Sequence, residues 1–514
     1  MKMKLKSGIY AVLVVFLFAS CNKEWDDHYN VYPETVDKNV WEALAADGQV
    51  SAFVQLLKDF KYDTLFQSDI SYTLFVPTND ALNEFTAANQ VDTTLLNYHI
   101  ATHFIQSGAI TGKRKVQTLS KKYALFERYG TKTLLDGIEL NRESPLYNNG
   151  KYYVLDQVAQ PLPNLYEYFI VNNPVLRDYI DSQDSIILDR ERSKPIGFDD
   201  DGNTVYDSVN IVINRFENKY FPVSKEFRNY TATIVFPKKE DYEDALTTMA
   251  QDLNIPQYND FSDIPIEWQN DILIPHLLEQ GVFMNMLEPE EFIWKKERDT
   301  LKLQNILGDS IQIFYRPVEK TLCSNGYAYN YENFVIPDTL YTGTSKFEAE
   351  WLLDETGLNR YAWYSHVRVV TDQPFAPLQE FIGTASNDSI VRVLFPRGYS
   401  GRYSVEFETR RVFPRKYAME VATHMDVGGI YDIYVNNELV KTFDYYDFVR
   451  YRGVIPSVIP GKRYIPRGRF NSFDMVVDNI EEYSRVKIRI EYKGPGSGIP
   501  SNGLVLDYID FIPF

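Results

Sequence analysis

The sequence predicts an α+β multidomain chain, with two α/β domains in tandem followed by a C-terminal β-sandwich. Three observations lead there. The chain has 514 residues, enough for about three domains at roughly 100–200 residues each. An apolar strand ended by proline occurs twice, at Thr73-Leu74-Phe75-Val76-Pro77 and at Thr231-Ala232-Thr233-Ile234-Val235-Phe236-Pro237. Beyond Phe347 the helical period fades, and short alternating strands recur between turn residues.

The N-terminus sets the expected location. Lys2, Lys4 and Lys6 precede an apolar stretch from Ile9 to Phe18, the layout of a secretory signal. The stretch is too short to span a bilayer, which needs roughly 20 apolar residues. Phe18-Ala19-Ser20-Cys21 resembles a bacterial lipobox, with Phe18 in place of the usual Leu. The resemblance implies a signal peptide at 1–20, acylation of Cys21 and a lipidated tether at 21–38. Cys21 is thus the expected link to outer-membrane lipid, held by about 0.8 kcal/mol per buried methylene. The acidic run Asn22-Lys23-Glu24-Trp25-Asp26-Asp27 is similar to the surface-export signal of Bacteroidota-type lipoproteins; a solvated linker is the alternative. The expected place is the outer membrane, lipid-anchored and facing the cell exterior.

Composition narrows the function. The formal net charge is -18, so nucleic acid is a poor partner. With Cys21 assigned to lipid, Cys323 has no disulfide partner, and stability must come from packed cores. No His-Glu-x-x-His or Gly-x-Ser-x-Gly motif occurs. Asp199-Asp200-Asp201-Gly202-Asn203 reads as a turn, without the spacing of a calcium loop. His99 and His103 stand four apart on an expected helix face and read as core or hydrogen-bonding residues. The chain is expected not to be an enzyme.

The first folded region, 39–165, opens with Trp41, Leu44, Phe53, Leu56 and Leu57 at helical spacing. The strand Tyr72–Val76 is stopped by Pro77, and Thr78 or Asn79 is placed to cap the next helix. Leu95-Leu96-Asn97-Tyr98-His99-Ile100 continues as helix, and Gly150–Asp156 is a strand entered through Asn149-Gly150. These three ordered motifs resemble the fasciclin domain, a family mostly adhesive or ligand-binding. The resemblance implies helices around two small crossed sheets.

The second strand-proline motif precedes Glu240-Asp241, as the first precedes Asn79-Asp80. His276–Phe283 echoes His103–Ile110 in the spacing of His and Gly. Tyr327-Ala328-Tyr329-Asn330 lies where a closing strand belongs. Residues 166–342 are therefore expected to form a diverged fasciclin-like domain. Its polar insertion, about Ile186–Tyr220, carries a hairpin between Ile196-Gly197-Phe198 and Thr204-Val205-Tyr206.

In the last region, strands are expected at Ser389–Phe395, Tyr403–Thr409, Tyr417–Ala422, Ile430–Val435, Leu439–Phe443 and Arg485–Tyr492. Strict alternation places Val486, Ile488, Ile490 and Tyr492 on a core face. Phe347–Glu350, Gly429–Asn436 and Leu506–Phe511 resemble the opening strand, middle hairpin and closing strand of jelly-roll carbohydrate-binding modules with a galactose-binding-like fold. The resemblance spans 346–514. It implies a structural Ca²⁺ on Glu348, Glu350 and Asp507, hard oxygen ligands suited to that ion. Surface acids of an edge strand are the alternative, and no other cofactor is expected.

One segment stands apart from the acidic bulk. Between Phe448 and Phe470 lie six Lys or Arg and no acid, with tyrosines interleaved or adjacent. Tyr445, Tyr446, Arg450, Tyr451, Arg452, Arg463 and Tyr464 are the expected contact residues for a partner, since Arg and Tyr anchor interfaces. The alternative is a loop that merely covers the sandwich. The function expected from these resemblances is a non-catalytic accessory binding subunit beside a SusC/SusD-type outer-membrane nutrient importer, with glycan as ligand. Adhesion to host, matrix or neighbouring cells is the other class.

Overall fold

The computed structural model describes residues 37–67, 70–189, 191–200, 202–292, 302–313, 315–353, 367–375, 377–424, 428–444, 454–465, 470–496 and 503–514. Cys21 and the proposed leader lie outside them. The chain forms two compact units: one of residues up to Asp241 together with Ile274–Phe334, the other of Tyr242–Leu273 together with Val335–Phe514. Among the described residues no helix is long and apolar enough to cross a membrane.

The first unit contains the same device twice. Strand Tyr72–Pro77 runs parallel to Gly150–Leu155 and antiparallel to Ile100–Ala101. Strand Ala232–Val235 runs parallel to Gly326–Tyr331 and antiparallel to Val282–Met284. Each centre holds a buried threonine whose hydroxyl bridges to a neighbouring segment. Thr73 donates to the His103 carbonyl at 3.0 Å and accepts from the Ile105 amide at 2.9 Å. Thr233 donates to the Asn285 carbonyl at 2.7 Å and accepts from the Leu287 amide at 2.9 Å. In both, a buried asparagine precedes the closing strand. Asn149 accepts from the Val40 amide at 2.9 Å, and Asn325 from the Leu165 amide at 2.8 Å. Both acceptor groups thus satisfy the first free N–H of a helix, Val40–Ala45 or Leu165–Asn172.

The glycine that follows is forced by approach of the central strand. A Cβ on Gly150 would lie 2.2 Å from the Tyr72 carbonyl oxygen, and one on Gly326 would lie 1.8 Å from that of Ala232. The duplicated strand-proline pattern therefore marks a duplicated sheet.

Several details differ from the sequence reading. The first helical pattern is split into Val40–Ala45 and Ser51–Asp59 by a 3₁₀ turn. Thr78 is the cap of helix Asn79–Thr86, accepting from the Ala81 amide, while Asn79 instead accepts from the Ala52 amide at 2.8 Å. The helix Thr93–Tyr98 ends before His99, and Ile100 is strand. His99 and His103 therefore do not share a helix face. His99 is buried, bonded through Nδ1 to the Phe75 carbonyl at 2.5 Å, and burial lowers its pKa to about 4. The His276 echo is out of register: Phe283 faces Thr233 where Ala101 faces Thr73, so Asn285, not His276, corresponds to His103. The insertion is longer than one hairpin. Two antiparallel pairs, Asp184–Leu188 with Asn210–Asn214 and Lys194–Phe198 with Thr204–Asp207, build the excursion.

In the second unit, a four-stranded sheet is ordered Ser345–Glu348, Tyr508–Pro513, Tyr417–His424, Phe470–Val477. A five-stranded sheet is ordered Val367–Thr371, Tyr403–Val412, Ser484–Gly494, Ile430–Val435, Glu438–Asp444. Their inner faces share one core, in which Met419, Val421, Phe473, Met475, Ile509 and Phe511 meet Val405, Phe407, Ile433, Val435, Ile488 and Ile490. Phe347 stacks on Phe407 with ring centroids 5.1 Å apart. Val486, Ile488, Ile490 and Tyr492 are all buried, as the alternation requires. The turn between Ile430–Val435 and Glu438–Asp444 is made by Asn436 and Asn437, both at positive φ, as a tight primed hairpin demands. Tyr242–Leu273 groups with this unit: Trp268 and Tyr258 pack on Phe413, and Asp271 pairs with Arg411 at 2.7 Å.

An acidic corner and a folded-back loop

Period-two alternation sends one set of side chains on the four-stranded sheet to the core and the other set outward. At its centre the outward set carries charge. Asp474, Glu420 and Asp510 are direct cross-strand neighbours, and Lys346 stands opposite Asp510. Like charges opposite each other on a sheet are destabilising, so this row needs a cover.

The described part of the basic loop supplies it. Ile455–Pro456 and Arg463–Tyr464 pair as a short ribbon. Lys462 Nζ reaches Glu420 at 2.7 Å. The Tyr464 hydroxyl donates towards Glu420 at 2.9 Å and Asp474 at 3.1 Å. Asp474 also accepts from the Ser457 hydroxyl and from the Val458 amide at 3.0 Å. Tyr508 adds a hydroxyl to Glu420 at 3.0 Å. Burial pushes the Glu420 carboxyl up, but Lys462 and the two phenols outweigh it and hold it below the usual range.

Tyr464 is therefore buried, its polar end spent on two carboxylates, and is not an open stacking platform. Its expected role as a contact residue is corrected on that ground: desolvating its ring and filling its hydroxyl leave nothing to offer a ligand. Arg463, one residue away on the opposite face of the ribbon, is exposed. Tyr445, Tyr446, Arg450, Tyr451 and Arg452 lie outside the described residues.

The other predicted residues do come together, although not on the strands expected. The opening strand ends at Glu348, and Glu350 stands on the 3₁₀ turn Ala349–Leu353. The closing run is broken at Asp507, where the chain leaves the sheet of Gly503–Leu506 and enters that of Tyr508–Pro513. Asp507 is fixed there by its amide on the Ala422 carbonyl and its carbonyl on the Ala349 amide, at 3.0 and 2.9 Å. The carboxyls of Glu348, Glu350 and Asp507 converge on the turn at Ser386–Asp388. Ser386 donates its hydroxyl to Glu348 at 2.7 Å and its amide to Asp507 at 3.0 Å, and Asn387 donates to Glu350 at 2.7 Å. Asn387 and Asp388 hold positive φ to make this turn.

All three carboxylates are buried. Glu348 Oε2, Glu350 Oε2 and the nearby Asp510 Oδ1 are buried without a partner. Burial, then Glu348 and Glu350, push Asp507 up to about 7; burial also raises Glu350, and it lifts Asp510 to about 6. Lys346, 3.3 Å from Glu348, answers part of this negative charge, and the buried carboxylate oxygens still orphaned are what a further cation would relieve. The donor set is all oxygen and so fits Ca²⁺. Among the described residues no three His, Cys, Asp or Glu side chains gather tightly enough to hold a metal alone. An ion here would draw further ligands from main-chain carbonyls or water.

The other candidates behave as structural groups. Cys323 is buried, and burial raises its thiol to about 12, so it is not a nucleophile. Asp199 accepts from the Asn203 amide at 2.7 Å within a turn. Sequence reading missed the acidic row because Glu420, Asp474 and Asp510 are far apart in the chain. The signal was present in each strand, as one acid at an outward position of an otherwise apolar alternation.

Residues 48–161 match the fasciclin domain. No curated protein matches the chain. Among solved structures the chain is similar to a xanthan lyase from Paenibacillus, at 12% identity over 45% of this chain and 19% of that one, with a TM-score of 0.24. It thus spans under a fifth of that lyase. It is also similar to a family 35 carbohydrate-binding module from Clostridium thermocellum, at 14% identity over 34% of this chain and 99% of that one, with a TM-score of 0.20. A third similarity is to the C-terminal CBM6 of LamC, a marine laminarinase from Zobellia galactanivorans, at 11% identity over 33% of this chain and 98% of that one, with a TM-score of 0.19. A fasciclin domain and a β-sandwich are thus parts of one chain.

Proposed function

We propose that this chain is a non-catalytic binding protein of the cell surface, anchored through acylated Cys21 and serving an outer-membrane nutrient importer of the SusC/SusD kind. The observation that carries the reading is the fasciclin match at 48–161, on a sheet device that the chain then repeats. Two copies of a ligand-binding scaffold and a sandwich in series suit capture, because tethering raises the local concentration of whatever is held. Glycan is the proposed ligand of the sandwich. Arg463 and the segment around Tyr451 are the proposed contacts there, with Lys462 and Tyr464 anchoring the loop beneath them. The fasciclin match equally favours adhesion, the second reading.

Ca²⁺ is proposed to be held by Glu348, Glu350 and Asp507. When bound, it neutralises the corner and fixes the crossing of the chain between sheets. Co-purification from native outer membranes tests the importer reading. Recovery of an importer pair with the wild type, lost on R450E/R452E/R463E, supports it. Retention on a glycan array without any importer leaves adhesion or free glycan capture. Cys21→Ala is expected to release the protein from membranes, and failure of a palmitate analogue to label the wild type overturns the anchor.

A further inference from the structure

A second surface stands out against the acidic bulk, and it lies in the first unit. Strand Gly112–Gln117 of the first module faces the segment that leads into the central strand of the second. Between them is a cleft of about 490 Å³ lined by Lys113, Arg114, Lys115, Leu125, Arg228, Asn229, Thr231 and Met286. Four of these eight are basic and none is acidic, in a chain whose net charge is -18. The volume is within the usual range for ligand sites, roughly 300–1,000 Å³.

The four cations differ in what they already do. Lys113 is spent on Glu288, which also takes Lys320 at 2.8 Å and the Tyr327 hydroxyl at 3.0 Å. Lys115 is buried and donates to the Phe227 carbonyl at 2.6 Å, with its ammonium 4.8 Å from the Tyr123 ring. These two rivet the modules together. Arg114 and Arg228 are exposed, and neither makes an ion pair or a side-chain hydrogen bond among the described residues. Both line the one cleft, and after burial Arg228 and Arg114 are the causes that lower the pKa of His103. His103 Nε2 is itself buried without a partner. Two unpaired guanidiniums on one cleft repel, and their fork geometry suits carboxylate or sulfate oxygens.

We propose that this cleft binds an acidic oligosaccharide, a sugar chain bearing carboxylate or sulfate groups, with Arg114 and Arg228 holding its anionic groups. Asn229 and Thr231 offer neutral partners for sugar hydroxyls. Tyr230, between Arg228 and Thr231, is 49% exposed. It stands next to the lining rather than in it, with its ring packed edge-on against Phe221 at 5.6 Å and Phe227 at 6.3 Å, an exposed aromatic face for a sugar that extends past the cleft. Strand Gly112–Gln117 is the edge of its sheet, but a peptide added there would also need apolar pockets at alternate positions, and the cleft has only Leu125 and Met286 as apolar lining. The site is separate from the sandwich and does not depend on what the sandwich binds.

The test uses the full chain in detergent and titration calorimetry with four probes: oligogalacturonate, a chondroitin sulfate oligosaccharide, maltohexaose and oligoglutamate. Binding of either acidic sugar is expected, weakened by added salt and reduced at least tenfold in R114Q/R228Q with an unchanged Tm. Both acidic sugars carry carboxylates and only the chondroitin probe carries sulfate, so preference for it shows that sulfate is recognised. Tyr230→Ala is expected to weaken the sugars several-fold and leave oligoglutamate unaffected. Equal binding of oligoglutamate overturns the sugar assignment, and equal binding of maltohexaose overturns the anionic one. Unchanged affinity in R114Q/R228Q overturns the site. Should that variant unfold, R114K/R228K keeps the charge without the fork, and wild-type affinity there overturns the role of the guanidiniums.

Discussion

Asn325 and Glu350 are both buried polar side chains, but their surroundings differ. Asn325 accepts from Leu165 and donates its amide to carbonyls of Pro222, Val223 and Lys225 at 3.0, 2.7 and 3.2 Å. Asn149 does the equivalent work in the first module with Val40 and Phe66. Glu350 has one oxygen on Asn387 and the other on nothing. A satisfied buried group is framework, since it ties distant segments and has no capacity left. An unsatisfied one costs stability, and its cost is recovered only when something binds. The contrast separates the closing-strand entrances from the sandwich corner, and four measurements sharpen or break it.

The largest effect is expected at the satisfied sites. Asn325→Ala strands a helix N–H and three carbonyls, Asn149→Ala a helix N–H and the Phe66 carbonyl, and each should cost about 2–5 kcal/mol in denaturant unfolding. Asn325→Ala should be the more damaging, having more partners. Losses under about 1 kcal/mol at both would remove the framework reading.

Next is the row on the sheet face. Lys462→Met leaves Glu420 between Asp474 and Asp510 with only phenols to quench it. A loss of about 1–3 kcal/mol is expected, with little change in oligogalacturonate binding to the first unit.

The corner then gives a pH signature. Asp507 and Asp510 hold protons in the folded chain up to about pH 7 and about pH 6, against an ordinary value of 3.8. Raised carboxyls stabilise the fold only while protonated, so that contribution is full below about pH 4 and is lost as pH rises to about 7. In chelator, Tm of the sandwich transition should fall by about 5 °C or more between pH 5 and 8, on the usual conversion of pKa shift to free energy. Ca²⁺ should restore it at pH 8. A flat profile in both conditions would mean that the corner carries no excess charge.

The smallest effect is the most telling. Glu350→Gln removes a charge that lacks a full set of partners, so without calcium it should change stability by no more than about 0.5 kcal/mol, or raise it slightly. It should also abolish the Tm gain from Ca²⁺. A calcium gain that survives both this change and Asp507→Asn would place the ion elsewhere.

Much of this architecture is local and was legible. A strand that ends in proline, an Asn-Gly before a closing strand and alternation at Val486–Tyr492 are short-range patterns, set by backbone chemistry and by the period of the pleat. The failures were of register and of the third dimension. His276 matched His103 by spacing, but hydrogen-bond register puts Asn285 there. Tyr464 looked like a surface anchor because its neighbours are basic, yet its hydroxyl is held by Glu420 and Asp474.

By itself, then, the sequence determined the elements and their repeat, because periodicity and capping act within a few residues; the acids Glu348, Glu350 and Asp507 were singled out only through the resemblance to carbohydrate-binding modules. Only the tertiary structure decided which charges meet. Cross-strand pairing set Glu420 between Asp474 and Asp510, the break at Asp507 turned three separate acids into one corner, and the junction at Lys115 set Arg114 and Arg228 on one cleft. Electrostatic energy depends on distances in space, and chain separation does not encode those.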